Sequence, residues 1–158
     1  TIGRAKEDLD RAAAAITKKL AGQGGHAYVA SLKALVTQAS SAIPIMPLYI
    51  SLLYRVMKEE GTHEGCIEQI YGLFRECLYN ADRQLDDAGR LRMDGKELAD
   101  HVQAQIKALW GQVETSNIDE LTDYKGYHQE FLRLFGFGYS HVDYNADVSP
   151  MVSLENLA

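Results

Sequence analysis

The chain has 158 residues, 46% hydrophobic and 24% charged, which suits one globular domain with a sizeable core. Its formal net charge is −6, and Lys18-Lys19 is its only adjacent basic pair, so it lacks the clustered cations that nucleic-acid binding needs. The longest apolar stretch, Ala42 to Leu53, is broken by two prolines and a serine and is shorter than the ~20 residues of a membrane span, so no membrane insertion is expected.

Gly3 to Ala21 reads as a helix, with Ile2, Leu9, Ala12, Ala13, Ile16 and Leu20 at helical spacing and Gly22, Gly24 and Gly25 as its stop. The alanines Ala12 to Ala15 suit close packing against a flat surface such as a sheet. Ala27 to Val36 reads as a mostly buried strand carrying Tyr28, Val29, Leu32, Leu35 and Val36. Thr37 to Pro47 is small and polar, then apolar, and Pro44 and Pro47 exclude a regular helix through it. A helix begins at about Pro47, with Leu48, Leu52, Leu53 and Val56 on one face, and ends at Gly61.

Thr62 is the expected cap of the next helix, with Glu64 in its first turn and Ile67, Ile70, Tyr71, Phe74 and Leu78 as its stripe. Asn80 to Asp94 reads as a charged connection. Asp94 and Glu97 are spaced as a capping box for a helix running to about Val113, whose stripe is Leu98, Val102, Ile106, Leu109 and Trp110. Ile118 and Leu121 fall in a short helical turn. Asp123 can cap a final helix bearing Tyr127, Phe131, Leu134 and Phe135, which Gly136 and Gly138 end. Phe137 to Tyr144 is a candidate second strand, and the tail after Asp147 reads as irregular.

Cys66 and Cys77 on one helix would lie roughly 16 Å apart along its axis, too far for a disulfide. They read as buried or half-buried free thiols in a reducing cytoplasm, with His63 three residues before Cys66 as a weak catalytic pairing. The five histidines, His26, His63, His101, His128 and His141, form no metal-ligand pattern.

A strand buried on both faces needs neighbours on both sides. Flanked by helices, this one has the rhythm of an α/β sheet. Most of that sheet is not in the sequence, so the chain is expected to be part of a longer enzyme. Thr1 at the start fits either initiator removal or a chain that begins mid-protein. In open α/β sheets ligands bind beyond the carboxyl ends of the strands, here Thr37 to Ile45. Thr37, Gln38, Ser40 and Ser41 offer hydrogen-bonding groups there. Ile43, Ile45, Met46, Leu48 and Tyr49 could line an apolar pocket for a chain-like substrate. From pattern alone the segment reads equally well as a polar turn leading into a core helix.

The runs GRAKEDLDR and LKALVTQASSAIPIMPLYISLLYRVMKEEGTHEGCIEQIYGLF, continued by LDDAGRLRMD, ELTDYKGYHQEFLRLFGFG and VDYNADV, resemble the bacterial NADH-dependent enoyl-acyl-carrier-protein reductases of the FabV type and the related trans-2-enoyl-CoA reductases. The match is collinear over nearly the whole chain. It implies an α/β fold: the helix-rich C-terminal part of an enlarged, short-chain-dehydrogenase-like Rossmann fold, giving one or two strands to a parallel sheet. It makes residues 1–158 the C-terminal part of a single cytoplasmic reductase domain, monomeric when whole, whose dinucleotide-binding half lies outside them.

The implied reaction is NADH-dependent reduction of the double bond of a 2-enoyl thioester on acyl-carrier protein or CoA. The family's active site pairs a Tyr with a Lys after eight intervening residues; the Lys matches Lys6 and the Tyr falls before Thr1. Alone, the segment is therefore expected to be inactive. Lys6 would hold the nicotinamide ribose and lower the pKa of the Tyr, although composition alone makes it an exposed helix lysine beside Glu7 or Asp10. Leu35, Val36 and Thr37 match the second cofactor contact, and Ser40, Ser41, Ile43 and Pro44 the loop over it. Ile43, Ile45, Met46, Tyr49 and Ile50 would face the acyl chain, with core packing an equal reading for the last four. The competing reading is a non-catalytic helical interaction domain, which would not need the strand ending in VTQASSAIP.

Overall fold

The computed structural model describes residues 1–83 and 85–151. Its centre is the helix α3 (Met46–Glu59), of which Ile50 to Tyr54, Val56 and Met57 are all buried. Neighbours cover most of this helix, and only Arg55, Lys58 and Glu59 near its C-terminal end face solvent. One cluster joins Leu52, Leu53, Val56 and Met57 to Val102 and Ile106 of α5 (Asp100–Trp110). The other joins Ile50 and Tyr54 to Val36 and to Tyr127 of α7 (Tyr124–Arg133). The stripes expected on these helices are thus the faces that meet. Pro47 sits in the first turn of α3, where it leaves no helical hydrogen bond unmade. Gly61, at φ +69°, lets the chain leave after the C-terminus. Asp123 caps α7 as expected, accepting from the Gly126 amide.

Shorter elements surround this core. The helix α1 (Ile2–Leu20) is capped by the Thr1 hydroxyl. A single turn, α2 (Gln38–Ser41), follows the expected strand. α4 (Cys66–Gly72) continues as a π-helical stretch, Leu73–Leu78, and α6 (Ile118–Leu121) is the short turn expected there.

The sheet differs from expectation. Of Ala27 to Val36, only Ala30–Ser31 (β1) pairs, and its parallel partner is Leu91–Arg92 (β2). β2 lies in the segment read as a charged connection. Arg90 and Arg92 mask it in sequence, but their side chains bond Asp10, Asp86 and Asp94 while Leu91 is buried. Phe137 to Tyr144 is not a strand: Gly136 and Gly138 take positive φ, and the Tyr144 hydroxyl ties Tyr139 N–H to the Gly136 carbonyl.

Two caps also differ. Thr62 N–H and His63 N–H both turn back to the Met57 carbonyl, and α4 starts only at Cys66, where the Glu68 carboxylate accepts from Gly65 N–H. Glu97 does not cap α5; it is 7% exposed and points at the strand. Cys77 is buried, but Cys66 is exposed rather than half-buried, and both are free.

The ladder ends early because another group takes the next rung. The Leu91 and Met93 amides donate to the Val29 and Ser31 carbonyls. One step on, the buried Gln69 side chain replaces the peptide group: its Oε1 accepts from Lys33 N–H at 3.0 Å and its Nε2 donates to the Met93 carbonyl at 3.1 Å. Replacing Gln69 by Leu strands a buried donor and a buried acceptor, so the loss expected in urea denaturation is ~1–3 kcal/mol for each group left unpaired. Amide exchange at Lys33 should quicken in the same variant.

α1 has no buried residue. It is held by Thr17, whose hydroxyl donates to the Ala27 carbonyl and accepts from the Ala27 amide, and by a bidentate contact from Arg90 to Asp10 at 3.0 and 2.5 Å. The hydrogen bond from Arg90 holds the Asp10 carboxyl below the usual carboxylate range. A depressed carboxylate pKa gives stability that is complete at neutral pH and lost as pH falls through the lowered value. Amide protection along α1 is therefore expected to drop in acid. Asp10→Asn should show reduced protection already at neutral pH, with a smaller further drop on acidification. An unchanged α1 in that variant would show that Arg90 does not hold the helix.

Candidate active site

Lys6 sits on exposed α1, one turn before Asp10. It lines a hollow of about 350 Å³ with Asp10, Ser31, Leu32, Arg90 and Asp94. The helix thus sets Lys6 beside the β1 edge, and the Asp10–Arg90 contact fixes the helix there. An ammonium on the wall of such a hollow can donate to hydroxyl groups or stabilise a nearby anion. Leu35, Val36 and Thr37 lie further along the chain and do not line this hollow.

Leu35 and Val36 are buried, and Thr37 is half-buried. Thr37 caps α2: its hydroxyl accepts from Ser40 N–H at 3.0 Å, and the Ser40 hydroxyl accepts from Thr37 N–H at 2.9 Å. The Ser40 hydroxyl also lies 2.8 Å from the Leu35 carbonyl. Ser40 therefore staples the loop to the end of the strand rather than presenting itself to solvent. Among the described residues the Val36 carbonyl meets only the Cys66 thiol, at 3.9 Å, so it keeps capacity for a stronger donor.

Ile43 and Ile45 are exposed, at 44% and 57%. Met46 and Tyr49 are half-buried and pack over the cluster that contains Ile50. Ile50 itself is fully buried, so it faces the core rather than an open pocket, beneath Met46 and Tyr49. Tyr49 has its hydroxyl committed: it donates to Glu97 at 2.6 Å and accepts from Gln103 at 3.1 Å. Burial and the Glu97 hydrogen bond push Tyr49 up to about 12, which keeps it protonated at neutral pH.

Sequence reasoning missed the residues that hold the strand end. Glu97 accepts from Ala34 N–H at 2.6 Å. Tyr54 accepts from Val36 N–H at 3.4 Å. Lys33 is 3% exposed, donates to the Ala34 carbonyl, and lies 4.9 Å from the centre of the Tyr54 ring. Burial pushes the Lys33 ammonium below the ordinary lysine range, against the raising effect of Glu97, Glu130 and Glu64. A lysine inside the apolar run AYVASLKALV was the available signal. His63 does not pair with Cys66; its ring meets Tyr54 edge-on at 4.3 Å, and its Nε2 faces Glu130.

Two family models match the chain: the trans-2-enoyl-CoA reductase catalytic region over residues 1–79, and the enoyl reductase FAD binding domain over residues 85–148. The enoyl-[acyl-carrier-protein] reductase [NADH] of Idiomarina loihiensis is 67% identical over 153 residues, covering 97% of this chain and 39% of that protein. The protein of the same name from Saccharophagus degradans is 66% identical, covering 98% of this chain and 39% of that one. Among solved structures, a Clostridium trans-2-enoyl-CoA reductase in complex with NADH superposes with a TM-score of 0.89 at 49% identity, covering 94% of this chain and 38% of that one. The Treponema denticola trans-2-enoyl-CoA reductase in complex with NAD gives 0.85 at 43%, covering 93% of this chain and 37% of that one.

The flavin in the second model's description finds no counterpart in the residues. Between 85 and 148 the described residues hold no glycine-rich turn from strand to helix, and Asp100 in the first turn of α5 would repel a pyrophosphate. The chain spans about 39% of the length of the curated relatives it matches and shares their helix-rich, parallel-sheet fold over that stretch. With a catalytic-region match over residues 1–79 of 158, this chain belongs to the trans-2-enoyl-CoA reductase family.

Proposed function

We propose that this chain forms one wall of an NADH-dependent enoyl-thioester reductase that reduces the trans-2 double bond of enoyl-acyl-carrier protein or enoyl-CoA. The observation that carries the reading is Lys6, held by an anchored helix on the wall of a hollow beside a parallel β-edge. The relatives' names, and the NADH or NAD in the neighbouring structures, support the same chemistry.

NADH, when bound, supplies the hydride that reaches the β-carbon of the substrate. Negative charge then develops on the thioester oxygen, and a Tyr hydroxyl preceding Thr1 in the longer protein donates to it. Lys6 holds the ribose hydroxyls and, as a nearby cation, lowers the pKa of that Tyr. The Val36 carbonyl accepts from the carboxamide, and Thr37, whose own backbone groups are taken up by α2, holds the loop beside it. Ile43, Ile45, Met46 and Tyr49 form the apolar wall for the acyl chain, and Ile50 backs it.

Residues 1–158 are the C-terminal part of one reductase domain. Their apolar surface supports this: Ile2, Leu9 and Ile16, spaced along α1, are 73%, 55% and 47% exposed. A stripe of that kind calls for further polypeptide against it.

In the longer protein, crotonyl-CoA should drive NADH oxidation, and Lys6→Ala should lower kcat/KM by ~10²–10⁴-fold, the range seen on removing a group of this kind from a proton-donating pair. Residues 1–158 alone should not consume NADH. Undiminished turnover by Lys6→Ala would remove Lys6 from the mechanism.

A further inference from the structure

We infer that Glu130 is a positioning residue for the cofactor segment: acting through Tyr54, it fixes the Val36 peptide group and so tunes NADH affinity from the far side of the core. The inference rests on the cofactor placement proposed above.

Three elements distant in sequence meet in one chain of hydrogen bonds. Val36 N–H donates to the Tyr54 hydroxyl at 3.4 Å. The Tyr54 hydroxyl donates to Glu130 Oε2 at 2.8 Å. Glu130 Oε1 faces His63 Nε2 at 3.7 Å. Tyr54 is fully buried, on the middle of α3, and Glu130 is on α7.

The direction of each bond follows from chemistry. A hydroxyl has one proton, and an ionised carboxylate can only accept. The Tyr54 proton is therefore committed to Glu130, which leaves an oxygen lone pair aimed at Val36 N–H. Burial pushes the Glu130 carboxyl up, but the neighbouring His63, the hydrogen bond from Tyr54 and the nearby Lys58 outweigh it, so Glu130 stays ionised at neutral pH. Burial first, then the Glu130 charge, drive Tyr54 far above its ordinary range, so the phenol stays protonated. The groups facing Tyr54 are Lys33 and Lys58, 4.9 and 5.1 Å from its ring centre, and His63 edge-on, with the Cys66 thiol nearby. None of these takes the hydroxyl proton.

Val36 is where this matters. Its N–H goes to Tyr54, whereas among the described residues its carbonyl meets only a thiol. Val36 N–H lies in the Leu35–Val36 peptide plane and its carbonyl in the next plane, whose Thr37 N–H donates to Ser40; with both planes anchored, the Val36 dihedrals between them are restricted, and with them the aim of the carbonyl. Losing the Tyr54 acceptor releases one of these two anchors and widens the range of Val36 dihedrals, and so of carbonyl directions, that the segment samples.

The test uses the full-length protein with Tyr54→Phe, Glu130→Ala, Glu130→Gln and the Tyr54→Phe/Glu130→Ala pair. NADH dissociation constants come from fluorescence titration, and hydrogen exchange is read at residues 35–37. Tyr54→Phe and Glu130→Ala are each expected to weaken NADH about tenfold and to quicken exchange at Val36. The double variant should be no weaker than Tyr54→Phe, because both act through one bond. Glu130→Gln keeps an acceptor oxygen and should restore affinity. The enoyl-thioester KM should stay within about twofold throughout, a split that general loosening of the fold would not give.

Additive losses, or wild-type NADH affinity in a folded Tyr54→Phe protein, would overturn the inference. So would unchanged exchange at Val36. If the wild-type protein binds no NADH, the proposed function fails and the tuning of affinity fails with it. Exchange at Val36 would then still decide whether Glu130 holds this peptide group.

Discussion

A backbone N–H that leaves a β-ladder inside a protein has to find another acceptor. That constraint governs the centre of this molecule. β1 pairs for only two residues, yet the chain runs on through the buried stretch Lys33 to Val36. Three side chains from three other places take over. Gln69 accepts from Lys33 N–H, Glu97 from Ala34 N–H and Tyr54 from Val36 N–H. Each is largely withdrawn from solvent, so each bond would be costly to lose. The strand end is thereby fixed without a neighbouring strand on those positions.

α3 organises these acceptors. It supplies Tyr54 directly and holds Glu97 through Tyr49. Its remaining buried positions join α5 on one side and α7 on the other. The packing core and the polar frame of the strand are therefore the same helix, read on different faces. Lys6 depends on a separate and weaker arrangement: α1 buries nothing and is tied down by Thr17 and by the Arg90–Asp10 contact. The two proposed cofactor contacts thus stand on foundations of different stiffness.

Much of this was legible in the sequence. The stripes of α3, α5 and α7, the cap at Asp123, the proline in the first turn of α3 and the break at Gly61 all follow from local rules. What escaped was non-local. Glu97, three residues after Asp94, has the spacing of a capping box, and only its approach to Ala34 shows that it serves the strand. Leu91 is hidden between two arginines whose partners lie elsewhere in the chain. Phe137 to Tyr144 read as a candidate strand, but glycines at positive φ and the Tyr144 hydroxyl close a loop instead. Nothing in the sequence pattern joins Tyr54 to Glu130, 76 positions apart; their bond needs the tertiary fold. Lys6 was never singled out by pattern, and its role came from resemblance alone.

The central claim is that Lys6 and the Val36–Thr37 backbone face one bound nicotinamide riboside. The most direct measurement is a crystal structure of the full-length protein with NADH. The expected result places the Lys6 ammonium within hydrogen-bonding distance of the ribose hydroxyls and the carboxamide against Val36 or Thr37, with the Tyr54–Glu130 bond intact behind them. A cofactor seated elsewhere, with Lys6 turned to solvent, would contradict it.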